Sequence, residues 1–159
     1  MAAAAFLQGR TGDPYLVLCP GASHPAKRWP AERFAALGRE LRRRTGYGCL
    51  VLGSGDEAAL VEGIAAACGG RAAAGQPLGT VFGLLAGAAF FVANNSGLAH
   101  AAAALGVPGL TLSGPSNPRK SAPRGVDQLF LGGLPLTGRE RGGAAHPALA
   151  GISVADALA

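Results

Sequence analysis

The stretch NNSGLAH, residues 94–100, connects an apolar run to an alanine-rich segment and indicates how the chain folds. The run 88–93 is typical of a buried strand, and 101–105, closed by a glycine and a proline, is typical of a helix end. A strand, a polar turn and a helix start leave free backbone N–H groups at the positive end of the helix dipole. The turn therefore predicts an anion site, with an ordinary N-cap at Asn95 or Ser96 as the alternative.

A second turn of this kind follows a predicted strand over 15–19. A Pro-Gly turn leads through the adjacent cations Lys27 and Arg28 to a proline that suits the start of a helix over 31–44. Ligands of open α/β sheets bind outside the carboxyl ends of the strands, so these cations suit a phosphate or diphosphate. Alternatively the two cations are solvated loop charges, and Trp29 is either a packing residue or part of the site.

A third strand end has the same pattern. The apolar residues 50–52 are followed by the sequence GSGDE over 53–57, which predicts a glycine turn and a helix start. A carboxylate at Glu57 could accept two hydrogen bonds from a ribose diol. Alternatively Asp56 and Glu57 only favour a helix N-terminus. The two glycines are no dinucleotide fingerprint, since the third glycine is missing.

The whole pattern alternates apolar strands with helices, which predicts an α/β fold: a Rossmann-like parallel sheet with helices on both faces. The predicted strands cover 15–19, 48–52, 71–74, 90–93, 109–112 and 128–131, and the predicted helices cover 31–44, 56–68, 78–87, 96–105 and 153–158. The segment Arg119–Gly151 is rich in glycine, proline and arginine and is predicted to be loop-like or disordered. We expect one domain over 15–159, with 1–14 as a linker or a start introduced by cloning.

Composition narrows the function classes. The net charge of +5, from 14 basic and 9 acidic residues, suits an anionic ligand or a membrane surface. No basic patch interleaved with aromatic residues supports nucleic-acid binding. Cys19, Cys49 and Cys68 are predicted to be buried small side chains, which favours a reducing compartment. No carboxylate pair or His/Cys cluster has ligand spacing, so no metal is predicted.

The motifs, in their order and spacing, resemble the second domain of the heptosyltransferases, a family of inverting glycosyltransferases of lipopolysaccharide assembly with a two-domain GT-B fold. The matching segments are Pro20–Ser23, Lys27–Pro30, Asn94–His100, Ala104–Pro108 and Gly114–Ser116. The resemblance implies a nucleotide-sugar-binding domain, the C-terminal half of a GT-B enzyme. It places the acceptor site and the catalytic base in the first domain, so this chain alone is expected to be inactive.

The resemblance also implies ADP-heptose as the donor and no metal or other cofactor. It implies Lys27 as the catalytic residue, which neutralises the departing diphosphate. The donor-binding positions that it implies are Ser23, Lys27, Glu57, Asn95, Ser96, Gly97, Leu98 and His100. The family has an acid where Asn95 stands here; because an amide carries no charge, the resemblance leaves the donor sugar open. For His100 the alternative is a packing histidine.

As partners the resemblance implies a nucleotide-sugar donor and a lipid-linked saccharide acceptor held through the first domain, and no nucleic acid. It implies a cytoplasmic location with peripheral contact at the inner face of the bacterial inner membrane. Two alternatives stay open. One is a stand-alone nucleotide-sugar-binding module without transferase activity, and the other is half of another GT-B-like enzyme such as a sugar-nucleotide epimerase.

Overall fold

The computed structural model describes residues 12–114, 117–132 and 145–159. Within these ranges six strands form one sheet, and every pair of neighbouring strands is parallel. The strands are β1 (Tyr15–Cys19), β2 (Gly48–Gly53), β3 (Arg71–Ala74), β4 (Phe90–Asn94), β5 (Gly109–Ser113) and β6 (Gln128–Gly132). Their order across the sheet is β3-β2-β1-β4-β5-β6, the order of a Rossmann-like doubly wound fold.

The helices of the described ranges follow the strands in alternation, as the sequence predicts. They are α1 (Ala31–Thr45), α2 (Ala58–Cys68), α3 (Leu78–Ala86), α4 (Gly97–Ala104), α5 (Pro118–Ser121), α6 (Pro147–Ala150) and α7 (Val154–Leu158). Two short 3₁₀ turns lie over Pro25–Lys27 and Gly55–Glu57. The second turn replaces the first residues of the helix predicted over 56–68, because the Glu57 carboxylate accepts the Ser54 N–H at 3.1 Å and holds the chain in a tighter turn.

Helices cover both faces of the sheet, as predicted. In β1 the side chains alternate: Leu16 and Leu18 pack with α1 and α2, and Val17 and Cys19 pack with α3 and α4. All four are fully buried. The near-continuous apolar strands therefore reflect a sheet that has no solvent-facing side at its centre.

The chain order reverses between β1 and β4, and this reversal positions the site. From β1 the chain winds outward to β2 and β3, then α3 carries it back to β4 on the other side of β1. Cys19 pairs with Ala93 in the register of the two strands, so β1 and β4 end at the same level. The loops that follow them run in opposite directions and leave a crevice at the carboxyl edge of the sheet.

The interpretation of Arg119–Gly151 as loop-like is wrong at both ends of the segment. The structure has α5 at one end and α6 at the other, with the predicted strand β6 between them. Each short helix begins with a proline after a capping side chain: Asn117 Oδ1 accepts the Arg119 N–H at 3.0 Å, and His146 Nδ1 accepts the Ala148 N–H at 3.2 Å. Residues 133–144 lie outside the described residues, as do 1–11 of the expected linker and 115–116 of the motif at Gly114.

Candidate functional site

A cavity of about 840 Å³ opens at the carboxyl edge of the sheet. Its walls come from the loops that follow β1, β2 and β3, and from α3 and α4. This volume lies in the range of pockets that hold small-molecule ligands, and the position is the one where doubly wound sheets bind them. The lining of this one cavity includes residues that follow the three predicted strand ends, those of β1, β2 and β4.

One wall of the cavity is apolar. It is formed by Leu52 at the end of β2, by Leu78, Val81 and Phe82 on α3, and by Leu98 on α4. Leu78 is 64% exposed and Phe82 is 40% exposed, although large apolar side chains are usually buried. A flat aromatic ligand packed on this wall would cover both side chains and gain the free energy of their burial.

The lining of the cavity also includes an ion pair between Arg28 and Glu57. Arg28 Nη2 lies 3.3 Å from Glu57 Oε1, and Glu57 Oε2 accepts the Ser54 N–H. Arg28 also donates from Nε and Nη2 to the Ala22 carbonyl, at 3.1 and 2.9 Å. The Glu57 side chain is only 13% exposed, so these partners orient a carboxylate that borders the cavity.

Gly21 is the residue over which the Glu57 carboxylate lies. A Cβ built on Gly21 would overlap with the carboxylate oxygens and Cδ of Glu57. The glycine in the Pro-Gly turn after β1 is therefore needed for close approach, since its backbone contacts the acid directly. The sequence motif Pro20–Ser23 and the acid at Glu57 meet here although they come from different strand ends.

The N-terminus of α4 forms the third part of the site. Ser96 occupies the N-cap position with extended backbone angles, φ −146° and ψ 172°, but its side chain makes no capping hydrogen bond. Its buried hydroxyl oxygen has no hydrogen-bond partner among the described residues. Ser96, Gly97 and Leu98 all line the cavity. The first turn of a helix leaves backbone N–H groups unpaired, so this end of α4 presents donors and a positive dipole to the cavity.

Although Ser96 is the N-cap residue, neither Ser96 nor Asn95 caps α4 with a side-chain hydrogen bond. Asn95 turns away from the helix end, and its Nδ2 donates to Ser121 Oγ at 3.1 Å. Ser121 Oγ in turn donates to the Asn117 carbonyl at 2.9 Å. Asn95 thereby joins the start of α4 to α5, which the sequence did not predict.

The structure brings together some of the predicted site residues and separates others. Those that line the cavity are Ser23, Glu57, Ser96, Gly97 and Leu98; those outside its lining are Lys27, Asn95 and His100. Lys27 is half-buried at the end of the 3₁₀ turn, and its neighbour Arg28 lines the cavity. His100 is exposed on the first turn of α4.

Asn94 and Trp29 hold the two central loops together. Asn94 is fully buried; its Oδ1 accepts the Trp29 backbone N–H at 3.0 Å, and its Nδ2 donates to the Pro20 carbonyl at 2.7 Å. The Trp29 indole N–H donates to the Ile152 carbonyl at 2.9 Å, and its ring meets Phe34 edge to face with centroids 5.1 Å apart. Trp29 is 2% exposed, so the packing interpretation of this residue is confirmed.

Within the part of the chain that the structure describes, no group of three His, Cys, Asp or Glu side chains is placed to hold a metal ion. The helices of the same ranges include none that is long and apolar enough to span a membrane. Among the described residues that line the cavity, the positively charged groups are Arg28 and the positive end of the α4 dipole.

Comparison with known proteins agrees with this architecture. Lipopolysaccharide heptosyltransferase 1 of Pseudomonas aeruginosa is 38% identical over 124 residues, which cover 76% of this chain and 34% of that protein. The structure of E. coli ADP-heptose lps heptosyltransferase II matches with a TM-score of 0.86 and 30% identity, covering 98% of this chain and 47% of that one. E. coli heptosyltransferase WaaC with ADP matches with a TM-score of 0.68 and 28% identity, covering 80% and 41%.

The chain thus spans about a third of the length of the curated relative and less than half of each solved structure. The family model described as glycosyltransferase family 9 (heptosyltransferase) matches residues 1–136. Because that match covers most of the chain, the chain belongs to glycosyltransferase family 9, the heptosyltransferases.

Proposed function

We propose that this chain is the donor-binding part of a heptosyltransferase that transfers heptose from ADP-heptose to the inner core of lipopolysaccharide. The observation that carries the proposal is the composition of the cavity. It combines an apolar wall, an oriented carboxylate at Glu57 and the N-terminus of α4 within one space. These are the groups that suit a base, a ribose diol and a diphosphate.

In the proposed complex, the adenine packs against Leu78 and Phe82 on α3. The ribose hydroxyls donate to Glu57, which Arg28 orients through the ion pair. The diphosphate lies at Ser96, where the unpartnered hydroxyl and the free N–H groups of Gly97 and Leu98 can donate to it.

The transfer step breaks the bond between the anomeric carbon and the diphosphate oxygen, and an acceptor hydroxyl forms the new bond. Negative charge grows on the departing diphosphate, so groups placed there stabilise the transition state. We assign Lys27 and the N-terminus of α4 to this role, with Ser23 and His100 as further donor contacts. The proposal includes no metal, and it leaves the acceptor and the catalytic base to the part of the relatives that this chain does not cover.

A nucleotide series tests the proposal directly. Isothermal titration calorimetry should show that ADP and ADP-heptose bind and that UDP and GDP bind more weakly. ADP without its 2′ and 3′ hydroxyls should also lose affinity, because the ribose then has no hydroxyl to donate to Glu57. Tighter binding of UDP than of ADP, or no binding of any nucleotide, would overturn the proposed donor.

The alternative of another GT-B-like enzyme is not favoured, because the family match and the relatives are heptosyltransferases. A stand-alone binding module differs from the proposal in one respect that can be observed. The proposed enzyme has a preceding domain in the same reading frame or as a separate chain, and turnover appears only when that domain is added.

We place the enzyme in the cytoplasm, in peripheral contact with the inner membrane, where the net charge of +5 would favour anionic lipids.

The Gly21→Ala variant should weaken ADP binding by roughly tenfold. The new Cβ occupies the space of the Glu57 carboxylate, and this flexible side chain must move away from the ribose. Calorimetry with ADP measures the loss, and the loss should vanish for ADP without ribose hydroxyls. Gly63→Ala is the matched control, since a Cβ on Gly63 meets no atom within 4 Å. If the Gly21→Ala variant binds ADP as tightly as the wild type does, Glu57 does not contact the ribose.

Lys27→Ala should weaken ADP binding by roughly 10- to 100-fold, the effect of losing one charge-assisted contact. Adenosine, which carries no phosphate, should bind the variant and the wild type equally. Arg44→Ala serves as the charge control, because Arg44 pairs with Glu40 at the far end of α1. If the affinity for ADP is unchanged in Lys27→Ala, Lys27 has no place at the diphosphate.

Asn95→Asp tests the position at which this chain departs from the family motif. If Asn95 faces the sugar, the added charge should change the affinity for ADP-heptose and leave the affinity for ADP nearly unchanged. The control is Ser121→Ala, which removes the hydrogen-bond partner of the Asn95 amide without adding a charge. An effect seen only in Asn95→Asp is then due to the added charge. Equal changes for both ligands would instead place Asn95 at the phosphates.

A further inference from the structure

Two buried cysteines lie close together at the end of β2 away from the cavity. Cys49 is the second residue of β2, and Cys68 is the last residue of α2. Their Sγ atoms are 3.8 Å apart, and the residues are 6% and 1% exposed. Neither cysteine takes part in the proposed transfer, so the transfer reaction gives no reason for the short distance between their Sγ atoms.

Two glycines provide the space for this approach. A Cβ built on Gly70 would lie 2.8 Å from the Cys49 carbonyl oxygen and 3.1 Å from Cys68 Sγ. A Cβ on Gly38 of α1 would lie 3.1 Å from Cys68 Cβ. Side chains at either position would push the end of α2 away from β2. Gly69, with φ +67°, ends α2 directly after Cys68 in a conformation that favours glycine.

The contacts of the pair act on the Cys68 thiol in two directions, since Cys68 Sγ also donates to the Ala65 carbonyl at 3.6 Å. The Cys49 thiol can donate to Cys68 Sγ, and Arg42 lies beside the pair with Nη1 donating to the Cys68 carbonyl at 2.8 Å. The hydrogen bond from Cys49 lowers the pKa of Cys68, and the same contact raises the pKa of Cys49. Cys49 lines a surface cavity of about 80 Å³, and Cys68 lies behind its Cys49, Gly69 and Gly70 walls without lining it, so peroxide must pass these residues to reach Cys68.

We propose that Cys49 and Cys68 form a peroxide-sensitive thiol pair that closes to a disulfide. The Cys68 thiolate attacks one oxygen of hydrogen peroxide, the O–O bond breaks, and Cys68 becomes a sulfenic acid while the other oxygen leaves as hydroxide and takes a proton. Cys49 sulfur then attacks Cys68 sulfur, and the displaced hydroxide takes the Cys49 proton. The two thiols lose two electrons, and the peroxide becomes two water molecules. The sulfur atoms need to approach by about 1.8 Å to bond.

The disulfide would connect β2 to the C-terminal end of α2 and close a loop between positions that are 19 apart. A crosslink over such a loop restricts the unfolded chain, so Tm should rise by roughly 5–10 °C after oxidation. Glu57 lies at the other end of α2, away from the pair. The affinity for ADP should therefore stay the same after oxidation.

Peptide mapping of the complete chain tests the proposal. The protein is treated with hydrogen peroxide, unfolded, alkylated with iodoacetamide and digested with trypsin. No lysine or arginine lies within 45–70, so one peptide, 45–71, carries both cysteines, and peptide 11–27 carries Cys19. Peptide 45–71 should lose two hydrogens and take up no alkyl group. Cys19 is the internal control, because burial raises the pKa of its thiol to about 12, and it should be fully alkylated.

Full alkylation of all three cysteines after peroxide treatment, equal oxidation of Cys19, or a fall in Tm would overturn the proposal. Cys49→Ser should stop the reaction at the sulfenic acid, which dimedone labels on Cys68. Cys68→Ser should react with peroxide at least about tenfold more slowly than the wild type. If a variant does not fold, the measurement on the wild-type peptide still decides the matter.

Discussion

Trp29→Ala is expected to lower the free energy of unfolding by about 3–5 kcal/mol, the usual cost of truncating a large buried aromatic side chain. The indole is 2% exposed, it packs on Phe34, and its N–H donates to the Ile152 carbonyl. Truncation would leave a cavity between α1 and the segment before α7 and would remove one of the two donors to the Ile152 carbonyl, the other being Arg33 Nη1. Urea denaturation followed by far-UV circular dichroism measures the loss, because the variant has no tryptophan fluorescence.

Trp29→Phe is the matched variant. It keeps an aromatic ring against Phe34 and removes the indole N–H, so it separates the packing contribution from the hydrogen bond to Ile152. We expect its unfolding free energy to lie between those of the wild type and Trp29→Ala. A Trp29→Ala protein with wild-type stability and weaker ADP binding would mean that Trp29 belongs to the ligand site.

Asn94→Ala is expected to cost about 2–5 kcal/mol, because it leaves two buried backbone groups without partners. These are the Trp29 N–H and the Pro20 carbonyl, which the Asn94 amide joins. The change separates the loops after β1 and β4, so ADP binding should weaken together with stability. Urea denaturation and calorimetry on the same sample measure both effects.

Asn94→Asp gives this prediction a pH dependence with a definite sign. A protonated acid can accept the Trp29 N–H and donate to the Pro20 carbonyl, whereas the ionised acid meets that carbonyl with a charged oxygen. Its pKa in the folded state is therefore raised above the unfolded value of about 3.9. The stability of Asn94→Asp relative to the wild type should be greatest below that value and should fall as the pH rises. A difference from the wild type that is constant with pH would show that Asn94 does not contact the Pro20 carbonyl.

Much of the fold was predictable because the signals are local. The β strands, α1 to α4, α7 and their turns follow from apolar runs, glycine turns and proline starts, which act over a few residues. The short helices α5 and α6 were missed although each has a proline after a capping residue, because a glycine- and proline-rich segment favoured a loop. Asn117 and His146 were the signals that could have found them.

The edge of the sheet that holds the cavity was predictable, and only some of the predicted site residues line the cavity. Three strand ends with polar or glycine turns must meet at one edge of a parallel sheet, and they do. Which of two adjacent cations lines the cavity depends on the 3₁₀ turn over Pro25–Lys27, and the turn places Arg28 there. The apolar wall at Leu78 and Phe82 was missed, because an apolar residue on a helix has no local signal that distinguishes a ligand surface from a core.

By itself the sequence determined the alternation of strands and helices, the parallel sheet and the edge of the sheet at which the cavity lies. Only the tertiary structure decided that Trp29 packs in the core, that Asn94 joins the Pro20 and Trp29 backbones, and that Glu57 lies over Gly21. It also brought Cys49 to within 3.8 Å of Cys68. The physical reason is the distance along the chain over which each interaction acts. Turn and strand preferences act between neighbours in the chain. These contacts instead join residues that are far apart in the chain and that only the crossover connections of the folded sheet bring together.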